Sequence, residues 1–298
     1  MALRVKRTRV LPSPASTSAF RARSFLLVTP AALWLTVFFI GPLLVILVVS
    51  LASRGPFGRI IYDYTFGNYL RAFDSLYLPA YWRTLWIALL TTVACIVVSY
   101  PVAYHLALRA SARWKPVLLV LTVIPFWTSF LIRTYAWIVL LRSEGVINSF
   151  LINLGIISEP LGLLYNDLAV MIGQVYGELP FMILPIFVAL EHLDRRLLEA
   201  AQDLGANRFW TFMRVTLPLS RPGLIAGSVL VFIPSLGAFV TPDLLGGAKS
   251  AMIGNLIQNQ FTLLNQPFGS ALSIVLGIAV LLLLAIALRM GLRPDDLS

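Results

Sequence analysis

Residues 25–51 read FLLVTPAALWLTVFFIGPLLVILVVSL, 27 consecutive positions without a charge. An α-helix crosses the ~30 Å hydrocarbon layer with about 20 residues at ~1.5 Å each. The stretch is therefore long enough to span a bilayer. A secretory signal has the same flanking charge but an apolar core of only about 7–15 residues and a small-residue cleavage site. An uncleaved first membrane helix is expected here, preceded by a disordered cytosolic tail over residues 1–24.

The rest of the chain repeats the signal. Further spans are expected at roughly 84–108, 117–141, 168–190, 222–240 and 268–288, the third interrupted by Arg133 and the fourth containing Glu178. Composition agrees: of 298 residues, 59% are hydrophobic and 12% charged, against roughly 45–50% and about 25% in a soluble domain. That excludes an ordinary cytosolic enzyme, a disordered chain and a collagen-like polymer. Cys95 is the only cysteine, which excludes an intramolecular disulfide and a thiolate metal site, and His105 and His192 leave zinc short of ligands.

The net charge of +10 would raise nucleic-acid binding in a soluble protein. Here the positives alternate with the spans. Arg4, Lys6, Arg7, Arg9, Arg21 and Arg23 precede the first, Arg109, Arg113 and Lys115 follow the second, and Arg195, Arg196, Arg208 and Arg214 follow the fourth. Arg289 and Arg293 follow the sixth, while the intervening loops hold Arg54, Arg59 and Arg71, then Arg142, then Lys249. Lys and Arg resist translocation, so the rich loops belong in the cytoplasm. The expected fold is an all-α integral membrane protein, a six-helix bundle with both termini cytoplasmic and no nucleic-acid partner. Its membrane domain covers 25–290, with a short cytosolic tail at 291–298.

The inward segment 191–217 is too patterned for a plain loop. Asp194 is placed as an N-cap, and Leu197, Leu198, Ala201 and Leu204 mark an apolar stripe at helical spacing. Arg195 and Glu199 stand at i,i+4, Gly205 suits the residue after a helix end, and Asn207 can cap a second turn with Phe209, Trp210, Phe212 and Met213. Spacing alone leaves two readings. One is an interfacial helix on lipid, suited to Trp210 and the arginines; the other is a knob inserted into a groove on a soluble partner.

Glu199-Ala200-Ala201, then Gly205 after three residues, then Val215-Thr216-Leu217-Pro218 after nine more, resembles the EAA loop of ABC-importer permeases, with Val215 where Ile is commoner. Pro125-Phe126-Trp127-Thr128 with Leu131-Ile132-Arg133, and Leu179-Pro180-Phe181-Met182, resemble the spermidine/putrescine branch. So do Leu230-Val231-Phe232-Ile233-Pro234 and Pro242-Asp243-Leu244-Leu245-Gly246-Gly247; together the likeness covers about 80–290. The resemblance implies the type I permease fold and a translocation pathway for a small cationic solute, in a bacterial inner membrane. It implies that Glu199, Ala200, Ala201, Gly205, Leu217 and Pro218 couple the chain to a separate ATPase dimer. ATP and Mg would sit on that dimer, with no cofactor on this chain. A second permease and an extracytoplasmic binding protein complete the implied partners. The iron, thiamine, phosphonate, opine and amino-acid-derivative branches share much of the pattern. The other classes are a stand-alone secondary transporter and a membrane-embedded enzyme; the latter lacks a His pair, H-E-x-x-H or clustered acids. Gly246-Gly247-Ala248-Lys249-Ser250 has alanine where a P-loop needs its second glycine, and no preceding strand.

Charge inside a membrane marks a pathway or a pair by default. Arg133 reads as an interfacial anchor or a functional group. Glu178, mid-span and followed by Pro180, reads as a substrate ligand or as the ion-pair partner of Arg133. Asp243 is the acid with support from the resemblance, and Trp127, Tyr135, Tyr176 and Phe239 are the aromatic faces that could hold an ammonium group. In the loop 142–167, Ile147, Phe150, Leu151 and Leu154 form an apolar patch that could receive the binding protein or cover the bundle. Gly223-x-x-x-Gly227 permits a close helix approach, expected to be that of a second permease.

Overall fold

A computed structural model describes residues 29–247 and 250–291. The expected tail 1–24, nearly all of the tail 291–298, and Ala248 and Lys249 lie outside the described residues.

The apolar run opens as α1 (Thr29–Ser50). Within it, Thr36–Ile40 widens into a π-helical turn just before Gly41-Pro42. The proline has no N–H and its ring crowds the carbonyl four residues back, so a wider turn relieves the clash. A short hairpin follows, β1 (Ser53–Arg54) antiparallel to β2 (Ile60–Ile61), in the register Ser53↔Ile61. Then come α2 (Gly67–Ala72), α3 (Leu78–Arg109), α4 (Lys115–Trp127), α5 (Phe130–Leu141) and α6 (Val146–Asn153). The chain continues through α7 (Asp167–Glu191) and α8 (Arg195–Asp203), α9 (Arg208–Leu219) and α10 (Arg221–Leu236). It finishes with α11 (Ile253–Thr262) and α12 (Gln266–Gly291).

Among the described residues, α1, α3, α7 and α12 are each long and apolar enough to cross a membrane, as is the stretch Phe130–Asn153 formed by α5 and α6. The pair α9 and α10, bent by 64° at the junction, makes a sixth if counted as one span. Ser220 marks that bend, between Pro218 and Pro222.

The continuous third span expected at 117–141 is corrected. Helix α4 ends in a tight 3-10 turn at Ile124–Trp127, Thr128 and Ser129 are extended (ψ 147° and 133°), and α5 restarts at Phe130. Pro125 withholds an amide from the ladder, and the Phe126 ring packs edge-on against Phe181 of α7, with centroids 4.8 Å apart. The two pieces still cross the bundle together. Lys115 at the start of α4 bonds Glu191, and Leu141 at the end of α5 packs with Ala169 and Leu245 at the opposite end.

The core lies where α3, α7 and α10 meet. Cys95, Ala103 and Leu106 pack against Met182, Ile186 and Leu190, and Val231 closes the group, all nearly or fully buried. A second cluster joins α11 and α12 to α2 through Ala72, Ile253, Phe268 and Leu272. The close helix approach expected at Gly223 and Gly227 is made within the chain. A Cβ at Gly223 would lie 2.5 Å from the Pro185 carbonyl oxygen, and one at Gly227 2.8 Å from Met182 Sδ. Both glycines bring α10 against α7 of the same chain, through contacts between positions 38 and 45 apart that local sequence does not announce.

Candidate functional site

At one end of the bundle α8 and α9 form a compact helical pair. Asp194 caps α8 by accepting from the Arg196 amide at 3.0 Å, and Asn207 caps α9 by accepting from the Trp210 amide at 2.9 Å. Between them Gly205 adopts φ 85°, the left-handed conformation that costs a side-chain-bearing residue most. The Gly205 and Ala206 amides fold back onto the Gln202 and Ala201 carbonyls at 2.9 and 3.0 Å, which satisfies the helix end.

The orientation of α8 follows from what its sides touch. Arg195 donates to the Ala107 carbonyl at 3.3 Å, and Leu198 and Gln202, on the same side, face the end of α3. Leu197 and Leu204 lie on the other side, and Leu204 is 90% exposed. The apolar stripe is thus split: Leu198 turns inward and Ala201 is partly buried, while Leu197, Ala200 and Leu204 face out. The i,i+4 pair is not made. The ion pairs within 4 Å among the described residues are Arg83–Asp167 and Lys115–Glu191, and Glu199 is exposed.

The base of this pair is bolted down by contacts that local pattern did not show. Lys115 donates to both Glu191 carboxylate oxygens at 2.9 and 2.7 Å and to the Ala107 carbonyl at 3.3 Å. Leu217 packs against the core, Tyr100 shares a 2.8 Å hydrogen bond with Ser220, and Phe212 meets the Tyr100 ring edge-on at 5.4 Å. The Lys115–Glu191 and Tyr100–Ser220 bonds join positions 76 and 120 apart, so only the complementary types were visible beforehand.

At the far end of α10 residues 237–247 turn back along α7 with a π-helical turn at Pro242–Gly246, and Met252 packs between Ile87 of α3 and Val170 of α7. Asn255 accepts from the Met252 amide at 3.1 Å and donates to the Phe239 carbonyl at 2.8 Å. The Ile253 amide donates to Thr84 Oγ1 at 2.8 Å, and the Tyr165 amide to the Leu245 carbonyl at 2.9 Å. Ser250 donates to Asp167 at 2.5 Å, and Arg83 approaches the other oxygen of that carboxylate at 3.7 Å. Pro242 and Leu245 are buried in this frame, while Asp243 and Phe239 are exposed on it.

Arg133 and Glu178 face a common region but form no ion pair. The Arg133 guanidinium lies over Phe126 and Phe130, 5.3 and 5.8 Å from their centroids. Its Nε and Nη1, and Glu178 Oε2, are buried without a hydrogen-bond partner. The break at Thr128–Ser129 stands between the two rings that flank the cation, Phe126 on α4 and Phe130 on α5. Of the candidate aromatics, Tyr176 stacks edge-on with Trp137 at 5.7 Å. Trp127 is 87% exposed and Tyr135 is exposed; no hydrogen bond or ring contact joins either to the other candidates. In the loop expected to carry the apolar patch, α6 is held by buried Asn148, whose side chain bonds the Arg142 carbonyl and both backbone groups of Leu161. Ile147 turns into the core, and Phe150 and Leu154 stay exposed.

An outward-facing helix pair at one end and a braced, acid-bearing return segment at the other match a known class. Residues 99–293 match the family of binding-protein-dependent transport system inner membrane components, and the chain belongs to that family. It is a multi-pass permease of the bacterial inner membrane, and its relatives are permeases rather than enzymes. It is 44% identical over 257 residues to the spermidine/putrescine transport system permease protein PotB of Haemophilus influenzae, covering 86% of this chain and 90% of that protein. Identity to the protein of the same name from Escherichia coli K12 is 42% over 257 residues, covering 86% and 93%. The fold is shared with a chain of a bacterial ABC transporter involved in the import of the acidic polysaccharide alginate, with a TM-score of 0.75, 18% identity and coverage of 93% and 98%.

Proposed function

We propose that this chain is one permease subunit of an ATP-driven importer of polyamines such as spermidine and putrescine. The observation that carries the reading is its likeness to spermidine/putrescine permeases over most of both chains. The topology that fits is six spans with both termini cytoplasmic, α4 and α5 counting as one crossing and α9 leading into α10. It puts α8 and α9 in the cytosol and the return segment 237–247 outside, in keeping with the distribution of Lys and Arg.

In this reading α8 is the lever. Leu197, Ala200 and Leu204 enter a groove on an ATPase subunit, with Glu199 free to meet a cation there and Gly205 setting the turn into α9. When ATP and Mg close the ATPase dimer, the grooves approach one another and carry the docked helices with them. Leu217 and Pro218 pass that displacement into α10, and the bundle rocks between inward- and outward-open states. A second permease completes the pathway, and an extracytoplasmic binding protein delivers the solute. Asp243 and Phe239 offer a carboxylate and an aromatic face to an arriving ammonium group. Glu178 is a further carboxylate deeper in the bundle.

The complex reconstituted with its ATPase, partner permease and binding protein tests this directly. Spermidine or putrescine should stimulate ATP hydrolysis and appear inside the vesicle. Uptake by the chain alone, driven by an ion gradient without ATP, would replace the proposal with a secondary transporter. Stimulation only by a non-cationic solute would keep the class and discard the polyamine.

A further inference from the structure

Between the end of α3 and the α8–α9 pair lies a cavity of about 640 Å³. Arg109 and Arg208 line it together with Gln202, Tyr104, Leu198 and Phe209, and no Asp or Glu does. Neither arginine has a carboxylate within 4 Å among the described residues. Arg109 lies over the Tyr104 ring, 5.6 Å from its centroid, at the wall of the cavity, and both arginines are exposed. The first turn of α9 begins at Arg208, and although Asn207 takes up the Trp210 amide, the helix start adds partial positive charge on that side.

Depth narrows the occupant. Arg109 directly follows the apolar run of α3 that ends at Leu108, so the cavity sits at the point where the charged end of a membrane-spanning helix begins. Trp210 with Arg214 over its ring at 4.4 Å is an interfacial pair on the adjacent helix. Two cations without counter-charges, beside apolar walls at headgroup depth, match a group that is anionic at one end and oily at the other. The ATPase-facing residues do not compete for it, since Leu197 and Leu204 are exposed away from it while Leu198 and the exposed Gln202 border it.

We propose that this cavity binds an anionic phosphate carried by a phospholipid headgroup of the cytoplasmic leaflet. Arg109 and Arg208 hold the phosphate, and Leu198 and Phe209 lie along the start of the acyl chains. The lipid then fills the space between lever and bundle, so that α8 pushes on α3 through a packed contact. This rests on the orientation proposed above and is independent of the solute.

Native mass spectrometry of the purified complex can count retained phosphatidylglycerol. The Arg109→Gln/Arg208→Gln double variant should lose about 30-fold in phosphatidylglycerol affinity, about fivefold per arginine, while the Arg109→Lys/Arg208→Lys variant keeps the lipid. Gln202→Glu, which adds a carboxylate to the lining, should also lose it, and serves if the double variant does not assemble. Unchanged retention in the charge-removing variants overturns the proposal. Equal protection against heat by inorganic phosphate and by phosphatidylglycerol overturns the lipid source, and equal retention of phosphatidylcholine overturns the anionic requirement. Lipid retention is read without solute, so a failed polyamine assay leaves this result standing, and a lost lipid site leaves the transport reading to its own test.

Discussion

The two ends of α10 are built on opposite plans. At its start, α8 shows Leu204 to solvent and leaves Glu199 without a cation; its own caps and one bond to Ala107 hold it. At its finish, the return segment bonds Tyr165, Asp167 at the start of α7 and Asn255 of α11, and Ile253 of α11 is tied in turn to Thr84 of α3. The first end leaves its surface open for another protein to complete. The second has used its polar groups on itself and leaves Asp243 and Phe239 exposed. Substitutions at the first end should therefore damage assembly and coupling with little change in stability, and substitutions at the second should do the reverse.

The largest effect is expected from Leu204→Asp. A buried interface anchor is worth about 2 kcal/mol or more, so affinity for the ATPase should fall about 30-fold or further, while the melting temperature of the permease stays unchanged. Pull-down with the ATPase and a thermal melt of the same sample check both halves; a drop in melting temperature breaks the contrast. Next is Asn255→Ala at the braced end. It removes two hydrogen bonds from a nearly buried side chain and should cost about 1–3 kcal/mol. A denaturation series should show that loss with ATPase binding intact.

Gly205→Ala sharpens the comparison, because a Cβ there meets nothing within 4 Å. The left-handed backbone alone is strained, by about 1–2 kcal/mol. ATP hydrolysis should become less coupled to uptake, measured as ATP spent per solute moved, with no loss of packing elsewhere. The smallest effect belongs to Asp243→Asn. An exposed carboxylate contributes up to about 1 kcal/mol to a cation, so half-maximal uptake should need up to about fivefold more polyamine. The amount of assembled complex should not change.

Sequence carried the parts of this design that are local. The caps at Asp194 and Asn207 and the turn at Gly205 were readable because each depends on residues within one turn of helix. The spans near α1, α3, α7 and α12 were readable from length and hydropathy. What escaped depends on distant partners. Pro125 was visible, but the extended Thr128–Ser129 pair accompanies the packing of Phe126 on Phe181. Arg133 and Glu178 were opposite charges in neighbouring spans, and nothing in spacing showed that aromatic rings would flank the arginine. The Lys115–Glu191 and Asp167–Ser250 bonds bridge 76 and 83 positions.

The seam made by Gly223 and Gly227 has a mechanical consequence. Helix α7 runs from Asp167 to Glu191 through two internal prolines, Pro180 and Pro185, and each removes one rung of its ladder. A lone rod of that kind would buckle at its middle. Because α10 presses its bare backbone onto Met182 and Pro185, it serves as a splint across the weak stretch. A tug arriving at Glu191 can then turn the whole rod, so that Asp167 at the other tip moves in step with it.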